Sequence, residues 1–260
     1  MPNLSSPLVA ACFAVASFLA QAQSTEDTLH APDGNSKEMV SSIFIAPLAN
    51  APFQATVTFQ WTKHLPDGST TVVTNHRLVV RDGQGRIYQE RRTLVPEGGS
   101  QESRVRSIEI SSPVTHSKYF CNPMLTQCEL RNYDVPVTEP VVPVGPIANG
   151  TRYLSRANLG SKTIEGLEAI GTRETITIQA GVIGNSAPVD NTKEFWYSPK
   201  LGLNLQVLRL DPLHGDQLFS VTDLKLSEPD ARLFIVPPTT RVVDLRSGER
   251  SQKGGSASAH

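Results

Sequence analysis

Residues 192–238 read TKEFWYSPKLGLNLQVLRLDPLHGDQLFSVTDLKLSEPDARLFIVPP, three apolar runs divided by two turns. The turns are Ser198-Pro199-Lys200-Leu201-Gly202 and Asp211-Pro212-Leu213-His214-Gly215. In each, proline presets its own φ and glycine supplies a positive one. Two tight reversals between apolar runs define an antiparallel meander, which Leu233-Phe234-Ile235-Val236-Pro237 brings to a stop.

Upstream, Phe53, Ala55, Val57, Phe59 and Trp61 alternate with Gln54, Thr56, Thr58 and Gln60. That period of two predicts a strand with one dry and one wet face. Pro66-Asp67-Gly68 turns the chain into a second strand over 70–80, and Arg81-Asp82-Gly83-Gln84-Gly85-Arg86 turns it into a third over 87–95. Further strands are expected around Ile108 and Ile110, at 116–121, 127–133, 161–165 and 167–179, with a short helix near 147–155. The prediction is mainly β: about ten strands in a curved antiparallel meander with little helix. A sheet of that size curls to limit its unpaired edges, so a half-barrel or open barrel is favoured.

Residues 8–20 carry no charge and are too few to span a bilayer as a helix. Ala20-Gln21-Ala22 follows with small residues where a signal peptidase reads, so residues 1–22 are expected to be a cleaved export signal. A rival reading takes Val9-Ala10-Ala11-Cys12 as a lipoprotein box that would anchor the chain through Cys12. The expected organisation continues with a mobile lead-in at 23–42, one β domain at 43–245 and a disordered tail at 246–260. The four prolines of 135–146 cannot serve a central strand or a helix and are read as an extended connector between two halves of that domain. No later run is long enough to cross a membrane.

Lysine and arginine number 24 against 25 aspartates and glutamates, a near-neutral balance that disfavours nucleic acid as a partner. Beyond the leader the cysteines are Cys121 and Cys128. Their even number, the export signal and Asn122-Pro123 between them predict a disulfide, worth roughly 2–3 kcal/mol by loop entropy.

Of the six histidines, His30, His64, His76, His116, His214 and His260, none stands at metal-ligand spacing from another, and no cofactor motif is present. Asp211, His214 and Asp216 come nearest to a cluster, in a turn whose composition geometry already explains. Arg77, Arg81, Arg86, Arg91, Arg92, Arg104 and Arg106 gather in the N-terminal half. Shared on one face they could grip phosphate or carboxylate; otherwise they pair with Asp82, Glu90, Glu97 and Glu102.

Two resemblances add to this reading. The segments 81–91, 108–113, 159–166 and 195–198 through 233–237 are similar to exported, uncharacterised β-rich proteins of Acidobacteria-type bacteria. More distantly, a Trp-bearing strand, a turn, two more strands and a Phe-x-x-Pro stop resemble the periplasmic lipoprotein-carrier family. That resemblance implies a half-open barrel holding acyl chains, although this chain offers little helix for the family's lid.

The candidate ligand-binding residues are accordingly Phe59, Trp61, Phe195 and Trp196 on the concave face, with Arg81 and Arg86 for a polar headgroup. The expected activity is non-enzymatic: a periplasmic or secreted protein holding an apolar or amphipathic ligand, lipid or another envelope component. The alternative is an assembly protein that docks an envelope protein partner through its sheet edge or Pro-rich connector. No catalytic constellation, cofactor or metal site is expected.

Overall fold

The computed structural model describes residues 29–31, 43–134 and 141–247. The expected export signal, Cys12, most of the expected lead-in, the first half of the Pro-rich connector and the tail from 248 lie outside the described residues. The strands are β1 (Phe53–His64), β2 (Thr70–Arg81), β3 (Ile87–Arg92), β4 (Val95–Pro96), β5 (Val105–Ser112), β6 (Ser117–Asn122) and β7 (Gln127–Asn132). They continue with β8 (Gly145–Ile147), β9 (Arg152–Ile164), β10 (Leu167–Ile178), β11 (Val189–Ser198), β12 (Leu203–Leu210), β13 (Asp216–Lys225) and β14 (Arg241–Asp244).

All fourteen belong to one sheet in the order β14-β7-β6-β5-β3-β2-β1-β13-β12-β11-β10-β9-β8, with β4 attached to β2. β8 and β14 are free ends that do not meet, so the curved sheet stays open as a half-barrel. Every neighbour pairs antiparallel except β14 with β7. The meander of 192–238 forms β11, β12 and β13, and β13 then lies against β1, placing the first long strand mid-sheet.

Fourteen strands replace the ten or so expected, because β4, β8 and β14 have only two, three and four residues, too few to show alternation. The helix expected near 147–155 is a single 3-10 turn, Ala148–Gly150, in which Ala148, Asn149 and Gly150 take φ of 50°, 56° and 81°. A right-handed helix cannot continue through three residues of positive φ. β9 therefore starts at Arg152, well before the strand expected at 161–165, and runs for 13 residues.

The cross-strand registers fix which side chains share a face. On what is here called the inner face, β1 presents Phe53, Ala55, Val57, Phe59 and Trp61, all buried, opposite Phe219 and Val221 of β13. Val207 of β12 and Phe195 of β11 follow in register. Ile43 and Ile45, from the chain leading into β1, pack into this cluster. A second core lies on the opposite, outer face: Val80, Tyr88, Ile110 and Phe234, with Leu78, Ile108, Tyr119, Leu233 and Val236 around them. After β13 the chain crosses to reach β14, and the Phe-x-x-Pro stop lays Leu233, Phe234 and Val236 over that second core on the way.

The two cores meet at β2, where Val79 faces inward and Val80 outward and both are buried. Cys121 and Cys128 stand opposite each other in the β6–β7 hairpin and form the expected disulfide, with Cα atoms 3.9 Å apart.

Candidate functional site

Three of the four aromatic candidates converge on the inner face. Phe59 and Phe219 stack with centroids 4.4 Å apart. Trp61 donates its indole N–H to His214 O at 2.9 Å and lies under Lys63 Nζ, 3.8 Å from the ring centre. Gly215 closes that turn with φ +89°, and any Cβ there would collide with Thr62 O. Phe59, Trp61 and Phe195 are only 2%, 6% and 1% exposed, so they form a filled floor.

Trp196 alternates to the other side of β11 and is half-buried, packing against the first hydrophobic cluster from there. Its ring crosses Gly171 of β10, where a Cβ would stand 2.7 Å from the indole, and Lys162 Nζ sits 3.8 Å over it. Here a glycine lets a neighbouring aromatic cover the strand.

The two arginine candidates separate. Arg81 is wholly buried: its Nε donates to Ala51 O at 2.9 Å, Nη1 to Ala46 O at 2.8 Å and Nη2 to Leu201 O at 2.9 Å. With Phe53 5.0 Å away as a π-face, it ties the entry segment and the β11–β12 turn to β2. Burial lowers its pKa to about 10, leaving the guanidinium charged at neutral pH. Arg86 pairs with Asp82 and lies over Phe234, 4.7 Å from the ring centre, at the second core.

Of the remaining arginines, Arg92 pairs with Glu90 at 2.8 Å, one of the carboxylates expected as partners. Arg77 and Arg91 share the inner face with Gln89 and Glu109, in register across β2, β3 and β5. Glu109 receives Arg91 Nε at 2.9 Å, Lys118 Nζ at 2.8 Å and Gln89 Nε2 at 3.2 Å. Burial pushes its carboxyl up, and the ion pairs with Arg91 and Lys118 outweigh that, so its pKa ends below the ordinary value. Beside this network the Asn75 carbonyl oxygen is buried and has no hydrogen-bond partner among the described residues. The inner face thus carries an aromatic floor on β11 to β1 and a charged network on β2 to β6, with Val79 and Ile87 of the first core between them. Glu109 was missed from the sequence, where one glutamate among serines in β5 has nothing to mark it.

A second feature also escaped the sequence. Leu29, His30 and Ala31 are seated against β10, β11 and β12. The His30 ring stacks on Phe195 with centroids 3.8 Å apart and planes 9° from parallel. Its Nε2 stands 3.4 Å from Glu174 Oε1, which also takes Arg156 Nη2 at 2.6 Å. Asn204 accepts from Ala31 N–H at 3.1 Å and donates to Ala31 O at 3.0 Å, and Thr172 Oγ1 donates to Leu29 O at 3.3 Å. The hydrogen bond from His30, opposed by burial and joined by Arg156, holds Glu174 down at about 2.

Asp211 and His214 pair at 2.9 Å, Nδ1 to Oδ2, while the Asp211 carboxylate also caps the turn N–H groups of Leu213 and His214. Asp216 lies opposite Thr62 in the β1–β13 ladder. Among the described residues no group of three His, Cys, Asp or Glu is arranged to hold a metal ion, and no helix is long and apolar enough to cross a membrane.

No protein-family model matches the chain, and no curated protein does. The resemblance to Acidobacteria-type exported proteins therefore has no counterpart among these comparisons. Among solved structures, the chain is similar to MucB at 15% identity and TM-score 0.36, covering 74% of this chain and 60% of that one. The MucA/MucB complex of Pseudomonas aeruginosa follows at 14% identity and TM-score 0.36, covering 74% and 58%. A putative outer membrane lipoprotein-sorting protein domain from Vibrio parahaemolyticus matches at 8% identity and TM-score 0.26, covering 70% and 89%. The chain spans about 60% of the length of the MucB chain it matches.

Proposed function

We propose that the chain is an exported, non-enzymatic binding protein, periplasmic or secreted, that holds an amphipathic ligand along the inner face of its half-barrel. The observation that carries this reading is the change of character along one continuous face. Phe59, Phe219, Val207 and Phe195 suit an acyl or other apolar portion, whereas Arg77, Arg91 and Lys118 around Glu109 suit an anionic head. Because the apolar floor is filled, a ligand enters by displacing the chain's own segments, Leu29–Ala31 or Ile43 and Ile45. The uncharged apolar leader and the Cys121–Cys128 disulfide support export.

Native mass spectrometry of chain purified without detergent, before and after organic extraction, tests the reading. Extractable mass identified as an amphiphile supports it, and a bare mass in both samples overturns constitutive ligand carriage.

A second reading, docking of an envelope protein, is favoured by the opposite end of the sheet. There β8 is an edge strand three residues long, and Val141, Val142 and Val144 of the Pro-rich connector are exposed beside it. Crosslinking from this edge in envelope extracts would recover a discrete partner if that reading holds.

A further inference from the structure

The residues that receive Leu29, His30 and Ala31 read a peptide backbone rather than merely covering an apolar surface. Asn204 offers its amide as donor and acceptor to one residue, Ala31, as a neighbouring strand would, and Thr172 takes the carbonyl two residues earlier. Between these anchors, Phe195 gives a flat ring for stacking and Glu174 a carboxylate for the ring edge. Backbone hydrogen bonds flanking one side-chain subsite are how proteins bind extended peptides.

The occupant is held by side chains alone, because its three residues make no backbone–backbone hydrogen bond with the sheet among the described residues. So few contacts scarcely offset the ordering of three residues. The occupant belongs to the same chain, so a peptide in trans competes with an intramolecular ligand.

We propose that this surface over β10–β12 is a peptide-binding site filled in cis by the lead-in. Its exchangeable ligand is an extended peptide carrying an imidazole or aromatic ring followed by a small residue. The cis segment then acts as a built-in competitor, and a peptide in trans binds with an affinity reduced by the fraction of time the site is filled. This goes beyond the amphipathic-ligand reading and does not depend on it.

The test uses fluorescence anisotropy of a labelled peptide, Gly-Gly-Leu-His-Ala-Gly-Gly, titrated with the full chain and with its His30→Ala variant. The expected result is binding at least tenfold tighter to His30→Ala, since the variant weakens the competitor and leaves the receiving residues intact. A peptide with phenylalanine in place of histidine retains binding and one with alanine loses it, a control that needs no altered protein. Adding Asn204→Ala to the His30→Ala chain abolishes binding. Equal or absent binding to wild type and His30→Ala, or indifference to the ring, overturns the proposal and leaves the contact as a fixed tether. Repeating the titration after organic extraction separates this outcome from that of the ligand test, since a chain without extractable amphiphile can still bind the peptide.

Discussion

The two halves of the sheet are built alike and packed in opposite senses. From β1 through β13 to β11 the central inner rows are apolar, Val57 with Val221 and Phe59 with Phe219, Val207 and Phe195. The inner row beyond Trp61 turns polar at Gln217, Arg209 and Lys193, and the outer row runs Thr58, Ser220, Gln206 and then Trp196. From β3 through β5 to β7 the inner side chains are polar apart from Ile87 and Phe120, and Tyr88 and Ile110 on the outer side belong to the second core. β2 carries the exchange by burying both Val79 and Val80. An ordinary sandwich would cover one face throughout. Splitting the core leaves each half a charged or polar surface on the side where the other is dry, and that puts Arg77, Arg91 and Glu109 beside an aromatic floor. The inner face is amphipathic because the core changes sides, so perturbing either core or the junction tests the arrangement.

The largest effect is expected at the junction. Arg81→Leu removes the guanidinium donor from the carbonyls of Ala51 and Leu201 and leaves Ala46 O with only Leu48 N–H, and unsatisfied buried acceptors cost about 1–3 kcal/mol each, so a loss of about 3–5 kcal/mol is expected. Arg81→Lys keeps the charge but cannot reach three divergent acceptors, so it recovers only part of that. Urea unfolding measures both. A loss under about 1 kcal/mol for Arg81→Leu would mean that the clamp is not what joins the entry segment to the sheet.

Next come the cores themselves. Phe219→Ala in the first is expected to cost about 3–5 kcal/mol, and Ile110→Ala in the second about 2–4 kcal/mol. The two residues lie on opposite faces and share no neighbour in either cluster, so the double variant should be additive within about 0.5 kcal/mol. A larger coupling energy would break the description of two separate cores.

A smaller and more local effect is expected from the disulfide, which closes the β6–β7 hairpin beside the second core. Replacing both cysteines with serine should cost roughly 2–3 kcal/mol. Hydrogen exchange should quicken in β6, β7 and β14 while β10 to β13 stay protected. Uniform acceleration across the sheet would show that the halves open together.

The strands of the meander, the open curved sheet and the cystine were legible because each rests on local signals: turn residues, alternation and cysteine count. The exchange of faces was not. Ile108 and Ile110 alternate as cleanly as Val57 and Phe59, and only the register through β2 and β3 reveals that they face opposite ways. Its one trace in the sequence is the unbroken apolar run Leu78-Val79-Val80.

The candidate site was legible in part for the same reason. Phe59, Trp61 and Phe195 share a face by register, whereas Trp196, next in sequence, alternates to the other side of β11 and only packs against the same cluster as a half-buried neighbour. Arg81 looked like a surface cation because its three carbonyl partners are up to 120 residues away. The seat of Leu29–Ala31 joins residues separated by as many as 173 positions, and no periodicity reports such a contact.

The smallest expected effect compares the two inner-face carboxylates. Glu174, in the first half, has its pKa lowered to about 2 from an ordinary 4.5, chiefly by the hydrogen bond from His30. Glu109, in the second, is lowered only after its ion pairs overcome burial. A carboxyl whose folded pKa is depressed binds more protons unfolded than folded between the two values, so stability falls as pH drops through that window. The contribution of Glu174 is complete above about pH 4.5 and is lost as pH falls toward 2. Glu174→Gln should therefore flatten the acid limb of stability against pH more than Glu109→Gln does, with chemical denaturation at stepped pH as the readout. The His30→Ala chain should resemble Glu174→Gln, because it removes the leading cause of the shift. If instead His30→Ala leaves the acid limb unchanged, Arg156 alone holds the carboxylate, and the seat of the lead-in carries none of the acid sensitivity of the first half.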